Sequence, residues 1–206
     1  MQLILLFWFM NYLAHAFLSF NKGDILAGNM ISDFVKGKLK YNYPEGIQAG
    51  IYLHRLIDEF TDAHTVTAKA KSYFRPTYRL YSGAFVDVVY DHFLALDEKR
   101  FETYGGLMNF SQATFNLLDN KFDLFPVRFQ KMFPYMRSQN WLYNYQFKEG
   151  IQKSFNGLVY RATYLKESDI AYEIFNQYYG QLKDCYDEFF PELLQFCFRK
   201  VKPVIS

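Results

Sequence analysis

Apolar residues recur every three to four positions along almost the whole chain, and strict alternation is scarce. A 3.6-residue period gives each helix one apolar face and leaves little from which to build a sheet. Leu13, Phe17 and Phe20 space as one face around His15. Asp24, following Gly23, is placed to cap a helix that runs through Asp33 and Phe34 and closes at Gly37. Pro44 suits a first helical position and opens a helix over about 45–62, with Ile47, Ile51, Leu53 and Ile57 as its stripe. Thr65 caps a short helix over 66–74, and Pro76 opens a long one reaching about Arg100. Further helices are predicted over 111–118, 126–145 and 148–160, then from Ser168 to about Lys200 with a kink or division at Pro191. No repeat, linker or change of composition divides the chain. The expected fold is therefore all-α, a single-domain helical bundle over residues 1–206.

A chain of 206 residues can bury a full core without disulfides or structural metals. The 23 Phe and 18 Tyr can fill gaps between helices or line a groove for an amphipathic ligand. A net charge of +2 argues against a general polyanion binder, so no nucleic-acid partner is expected. Cys185 and Cys197, twelve apart, form neither a disulfide framework nor a metal spacing, which fits the cytoplasm. Met1 to Phe9 reads MQLILLFWF, with no basic flank and no cleavage site. It is too short to span a bilayer and is expected to be an extension upstream of a start at Met10.

Chemistry concentrates in the first half. All four histidines lie between positions 15 and 92, and they travel with aspartates. His54, Asp58 and Asp62 step by four along one helical face, and Asp87 and Asp91 repeat the step beside His92. Apolar neighbours (Ile57, Ala84, Phe85, Val88, Val89, Phe93, Leu94) imply burial. A buried carboxylate must then be paired or metal-bound. Mixed imidazole and carboxylate donors suit Mn, Fe, Zn or Mg. His64, at a helix end, is expected to be exposed.

Four stretches in order, MNYLAHAFLSF from Met10, GNMISDFVKG from Gly28, GIYLHRLIDEFTD from Gly50 and FVDVVYDHFL from Phe85, resemble the acyl carrier protein phosphodiesterases. FFPELLQF from Phe189 is similar to that family's ending. The family is related to HD-domain metal phosphohydrolases, so the resemblance implies an HD-domain-like bundle holding a divalent ion, manganese first and magnesium as the alternative. It implies hydrolysis of the phosphodiester that joins 4′-phosphopantetheine to a serine of holo-acyl carrier protein. The order here is Asp91–His92, the reverse of the usual dyad.

On this basis the ligand pool is His15, His54, Asp58, Asp91 and His92, with Asp33 and Asp87 as general-base or ligand-orienting carboxylates. Lys36 and Arg55, each beside a motif, are candidate phosphate clamps. A small acidic carrier would meet a modest basic patch, either Lys36, Lys38 and Lys40 or Lys69, Lys71, Arg75 and Arg79. The aromatic excess would supply a groove for the pantetheine arm. Two rival readings are an HD-type hydrolase of nucleotides and a non-catalytic module that binds a carrier protein.

Overall fold

The computed structural model describes residues 12–103, 105–162 and 164–205, with side chains described through 201. The expected start-site extension at Met1 to Phe9 lies outside them. All regular secondary structure among the described residues is helical. The order is α1 (Tyr12–Phe17), α2 (Gly23–Ile31), α3 (Glu45–Ala63), α4 (Thr65–Tyr78), α5 (Ser82–Ala95) and α6 (Gly106–Asp119). There follow α7 (Val127–Ser138), α8 (Trp141–Asn144), α9 (Lys148–Arg161), α10 (Asp169–Gln177) and α11 (Tyr179–Ile205). No described helix is long and apolar enough to cross a membrane.

Helix α5 is apolar nearly all round and is buried along almost its whole length, as a central helix must be. α1, α4, α9 and α11 pack on it. Phenylalanines fill the spaces between helices: Phe85 meets Phe155 edge-on at 5.1 Å, and Phe125 meets Phe129 at 4.9 Å and 88°. Cys185 and Cys197 are free and buried, two small apolar groups in this core.

The closest packing in the site-bearing half is between α2 and α3. A Cβ built on Gly28 would stand 2.0 Å from the Ile47 carbonyl oxygen, and one on Gly50 would stand 2.2 Å from that of Ile25. The two backbones therefore touch where the glycines cross, a distance no other residue pair allows. Asn29, Ser32 and His54 lie one to four residues from the crossing, so it fixes how those side chains face.

Several predicted boundaries shift. The helix begun near Asp24 stops at Ile31 and continues as a 3₁₀ turn, Ser32–Phe34, followed by extended Val35. Pro76 opens no helix. It lies in the last turn of α4, and the break falls at Arg79, whose φ is +48°. The segment predicted over 126–145 divides at Asn140, φ +45°, whose side chain accepts from Tyr143 N and so caps α8. The final segment divides at Tyr178, whereas Pro191 sits inside α11. In each case a local backbone turn ended the helix where apolar spacing alone ran on. His64 is not exposed as expected: its side chain is 13% accessible. Its ring packs on Phe60 and Phe189, its Nδ1 caps α4 by accepting from Val66 N, and its Nε2 faces Glu192 at 3.3 Å.

Gly50→Ala is expected to lower unfolding free energy by about 3 kcal/mol or more, because the new methyl group meets backbone that cannot move aside. Gly180→Ala, where nothing lies within 4 Å, should instead add ~0.5 kcal/mol to α11. Urea titrations of the two variants check both signs.

Candidate metal centre

His15 rides on α1 and His54 on α3, and their rings stack with centroids 4.0 Å apart and 18° between planes. Both are almost fully buried. Asn29, from α2, sits behind them. Its Oδ1 lies 2.6 Å from His15 Nδ1 and 3.2 Å from His54 Nδ1, and His54 Nδ1 also meets the Asn29 carbonyl at 2.8 Å. The Asn29 amide nitrogen donates to the His15 carbonyl and to Ser19 Oγ, which fixes the amide's orientation. Both Nδ1 atoms thus face only acceptors and carry hydrogen. Both Nε2 atoms turn their lone pairs the other way, toward two carboxylates.

Those carboxylates complete the group. Asp58 Oδ1 lies 3.5 Å from His15 Nε2, Asp58 Oδ2 lies 3.2 Å from His54 Nε2, and Asp33 Oδ1 lies 3.3 Å from His54 Nε2. His15, His54 and Asp58 each offer a donor atom within 4.8 Å of the others. Donors held ~2.1 Å from one ion stand about 3.0 Å apart at octahedral angles and about 3.4 Å apart at tetrahedral ones. The observed separations match the edges of one coordination shell, and the nitrogen–oxygen donor set suits Mn, Fe, Zn or Mg. The residues present fit a divalent cation. The imidazoles form a buried floor and Asp58, with a side chain half accessible to solvent, forms the open side.

Without a cation, protons perform the neutralisation. Burial opposes charge on His54, but the Asp58 and Asp33 carboxylates outweigh it and hold the imidazole pKa up at about 10. Burial and the neighbouring His54 charge push His15 down, so the stacked rings do not both ionise. Asp58 is held below the usual carboxylate range: the His54 and His15 imidazoles overcome the opposing effect of burial.

The structure sets Asp91 and His92, both in the expected ligand pool, among other partners than this group. Asp91 is fully buried on α5 and accepts from the backbone N–H of Leu13 at 3.0 Å and of Ala14 at 2.8 Å, as well as from the Tyr145 hydroxyl. It caps the first turn of α1, where unpaired N–H groups and the helix dipole favour a carboxylate. Burial pushes its pKa up to about 8, against the pull of those donors. His92 is committed on both nitrogens: Nδ1 to the Tyr145 carbonyl at 2.7 Å and Nε2 to the Tyr179 hydroxyl at 3.0 Å. Both residues clamp α5 to its neighbours.

Asp33 was expected to orient ligands or act as base, and the structure sets it beside His54 within the donor group. Asp87 lies on α5. It is half-buried, with burial and then the Asp58 charge pushing its carboxyl well above the ordinary range while Lys71 opposes. Arg55 is exposed beside His54 and donates to the Val35 carbonyl at 3.2 Å. Lys36 is also exposed, three residues beyond Asp33. Asn29 escaped the reading of sequence because amides attract no attention as metal ligands. The signal was there: Asn29 and Asp33 are four apart, so one helical face carries both.

The family model described as acyl carrier protein phosphodiesterase matches residues 10–193. The chain is 32% identical to an acyl carrier protein phosphodiesterase of Yersinia pestis over 186 residues, 90% of this chain and 96% of that one. It is 31% identical to the protein of the same name from Klebsiella pneumoniae strain 342 over 191 residues, 93% and 99% of the two chains. With that of Serratia proteamaculans strain 568 it shares 31% over 186 residues, 90% and 96%. No solved structure matches it. The chain belongs to the acyl carrier protein phosphodiesterase family.

Asn29→Leu removes the acceptor behind both imidazoles and should weaken Mn²⁺ binding about 10–100-fold by calorimetry. Asp91→Ala should leave Mn²⁺ affinity near that of the wild type while lowering stability by about 3 kcal/mol, since three buried donors lose their acceptor.

Proposed function

We propose that this chain is a metal-dependent phosphodiester hydrolase that releases 4′-phosphopantetheine from holo-acyl carrier protein and leaves the apo form. The observation that carries this reading is the convergence of His15 Nε2, His54 Nε2 and Asp58 at the spacing of one coordination shell, with Asp33 beside His54, in a chain of this family. His15, His54, Asp58 and Asp33 would hold the ion, Mn²⁺ first and Mg²⁺ as the alternative, in the manner of HD-domain phosphohydrolases. When bound there, a divalent ion neutralises phosphoryl oxygens and makes a water acidic enough to attack.

The chain's own groups do the rest. Asn29 keeps both imidazoles in the tautomer that leaves Nε2 free. The open, Asp58 side of the group admits the ester and the water. Water adds its oxygen to phosphorus, the bond from phosphorus to the serine oxygen breaks, and that oxygen needs a proton. Asp87 is the carboxyl best suited to deliver it: it is within electrostatic reach of Asp58, and burial together with that charge keeps its proton on. Arg55 and Lys36, on the two segments bordering the mouth, bring positive charge toward the phosphate. Exposed Lys36 and Lys38 with Lys40 would face an acidic helical carrier. Lys71, in the other basic cluster, is engaged by Asp62 at 2.6 Å.

Incubation with holo-carrier and Mn²⁺, read by intact mass, should show loss of the prosthetic group, and excess chelator should stop it. His54→Ala should lower kcat by at least about 10³-fold with far-UV helicity retained. Turnover of a nucleotide panel with the carrier left whole would defeat this choice of substrate.

A further inference from the structure

A cavity of about 480 Å³ opens between α1, α5, α8 and α9. Tyr12, Val88, Trp141, Tyr145 and Leu158 give it aromatic and aliphatic walls. The Tyr12 and Trp141 rings stand 6.2 Å apart at 53°. Two cationic side chains line it, Lys153 and Arg161.

Three observations tie this space to the metal group. Tyr12 lies three residues before His15 on α1, so the same face of one helix presents both. Tyr12 is within electrostatic reach of Asp33 on one side and Arg161 on the other. Val88 follows Asp87, which is itself within electrostatic reach of Asp58. Tyr12 and Val88 thus join the cavity to the helices that carry His15 and Asp87.

Its size belongs to a small molecule and is far below that of a folded partner. Its walls ask for carbon, its side-chain amides Gln139 and Asn144 and the Ser154 hydroxyl can meet amides, and Arg161 asks for an anion. A linear arm with a phosphate at one end, a dimethyl-substituted carbon next to it and two amides beyond has those groups in that order.

We infer that this cavity is the subsite for the 4′-phosphopantetheine arm, with Tyr12, Trp141 and Tyr145 packing on its carbon chain and Arg161 facing its phosphate. This rests on the phosphodiesterase reading above and deepens it. Arg161 joins Arg55 and Lys36 as a phosphate-facing cation, and it comes from the second half of the chain, where no histidine lies.

The test separates the subsite from the reaction. Pantetheine, which lacks the phosphate and the carrier, is titrated against the Mn²⁺-loaded protein by calorimetry. Saturable binding is expected, together with competitive inhibition of holo-carrier cleavage. Gly157→Leu fills the cavity at a helical position where a Cβ would meet only the flexible Arg161 side chain, at 3.5 Å or beyond. It should abolish pantetheine binding and raise KM for holo-carrier tenfold or more, with manganese content and helicity as in the wild type. Tyr160→Ala, on the exposed side of the same helix, should change neither. Arg161→Ala should weaken 4′-phosphopantetheine and leave pantetheine as before. Cleavage by the wild type with no pantetheine binding, and a wild-type KM in Gly157→Leu, would overturn the subsite while the phosphodiesterase reading stands. Pantetheine binding that Gly157→Leu abolishes, in a protein that leaves holo-carrier whole, would defeat that reading while the cavity keeps its ligand.

Discussion

The contact between Gly28 and Gly50 governs the geometry on which everything else depends. Two helices whose backbones touch place the side chains next to the crossing within a few ångströms of one another, with little freedom to rotate past. Asn29 and Asp33 come from one side of that contact and His54 and Asp58 from the other. A crossing wider by even one methyl group would separate Asn29 Oδ1 from His54 Nδ1, now 3.2 Å away. Close packing and the site are thus one constraint seen twice.

The buried polar groups fall into two kinds, and their partners tell them apart. Asp91 and His92 have every strong partner supplied by the fold: two backbone N–H groups and a hydroxyl for the first, a carbonyl and a hydroxyl for the second. They stabilise because leaving them unpaired would cost more than their burial. His15 and His54 meet acceptors on Asn29 at Nδ1 and the Asp58 and Asp33 carboxylates at Nε2. Their Nε2 lone pairs face carboxylate oxygens, an arrangement that calls for a cation or a proton between them. This imbalance marks the candidate metal centre.

Membership of the acyl carrier protein phosphodiesterase family and this imbalance point the same way. A prosthetic-group ester needs three things at once: neutralised phosphate, a proton for the departing serine, and room for the arm. The donor group is within electrostatic reach of Asp87 through Asp58 and of Tyr12 through Asp33.

Helical periodicity determined the all-α class from the sequence alone, because a 3.6-residue apolar period admits no sheet. Spacing by four put His54 and Asp58 on one face, and the resemblance carried by the GNMISDF and GIYLHRLIDEF stretches identified the family. Helix ends were less legible: apolar spacing runs on past Arg79 and Asn140, where positive φ breaks the helix. The donor set was legible only in part. His15, His54 and Asp58 stood in the expected pool, whereas Asp91 and His92, equally spaced and equally apolar in context, went to the helix clamps. Sequence spacing fixes which side chains share a face. Only the tertiary structure decides what that face meets, because α1, α2 and α3 converge through contacts between residues far apart in the chain.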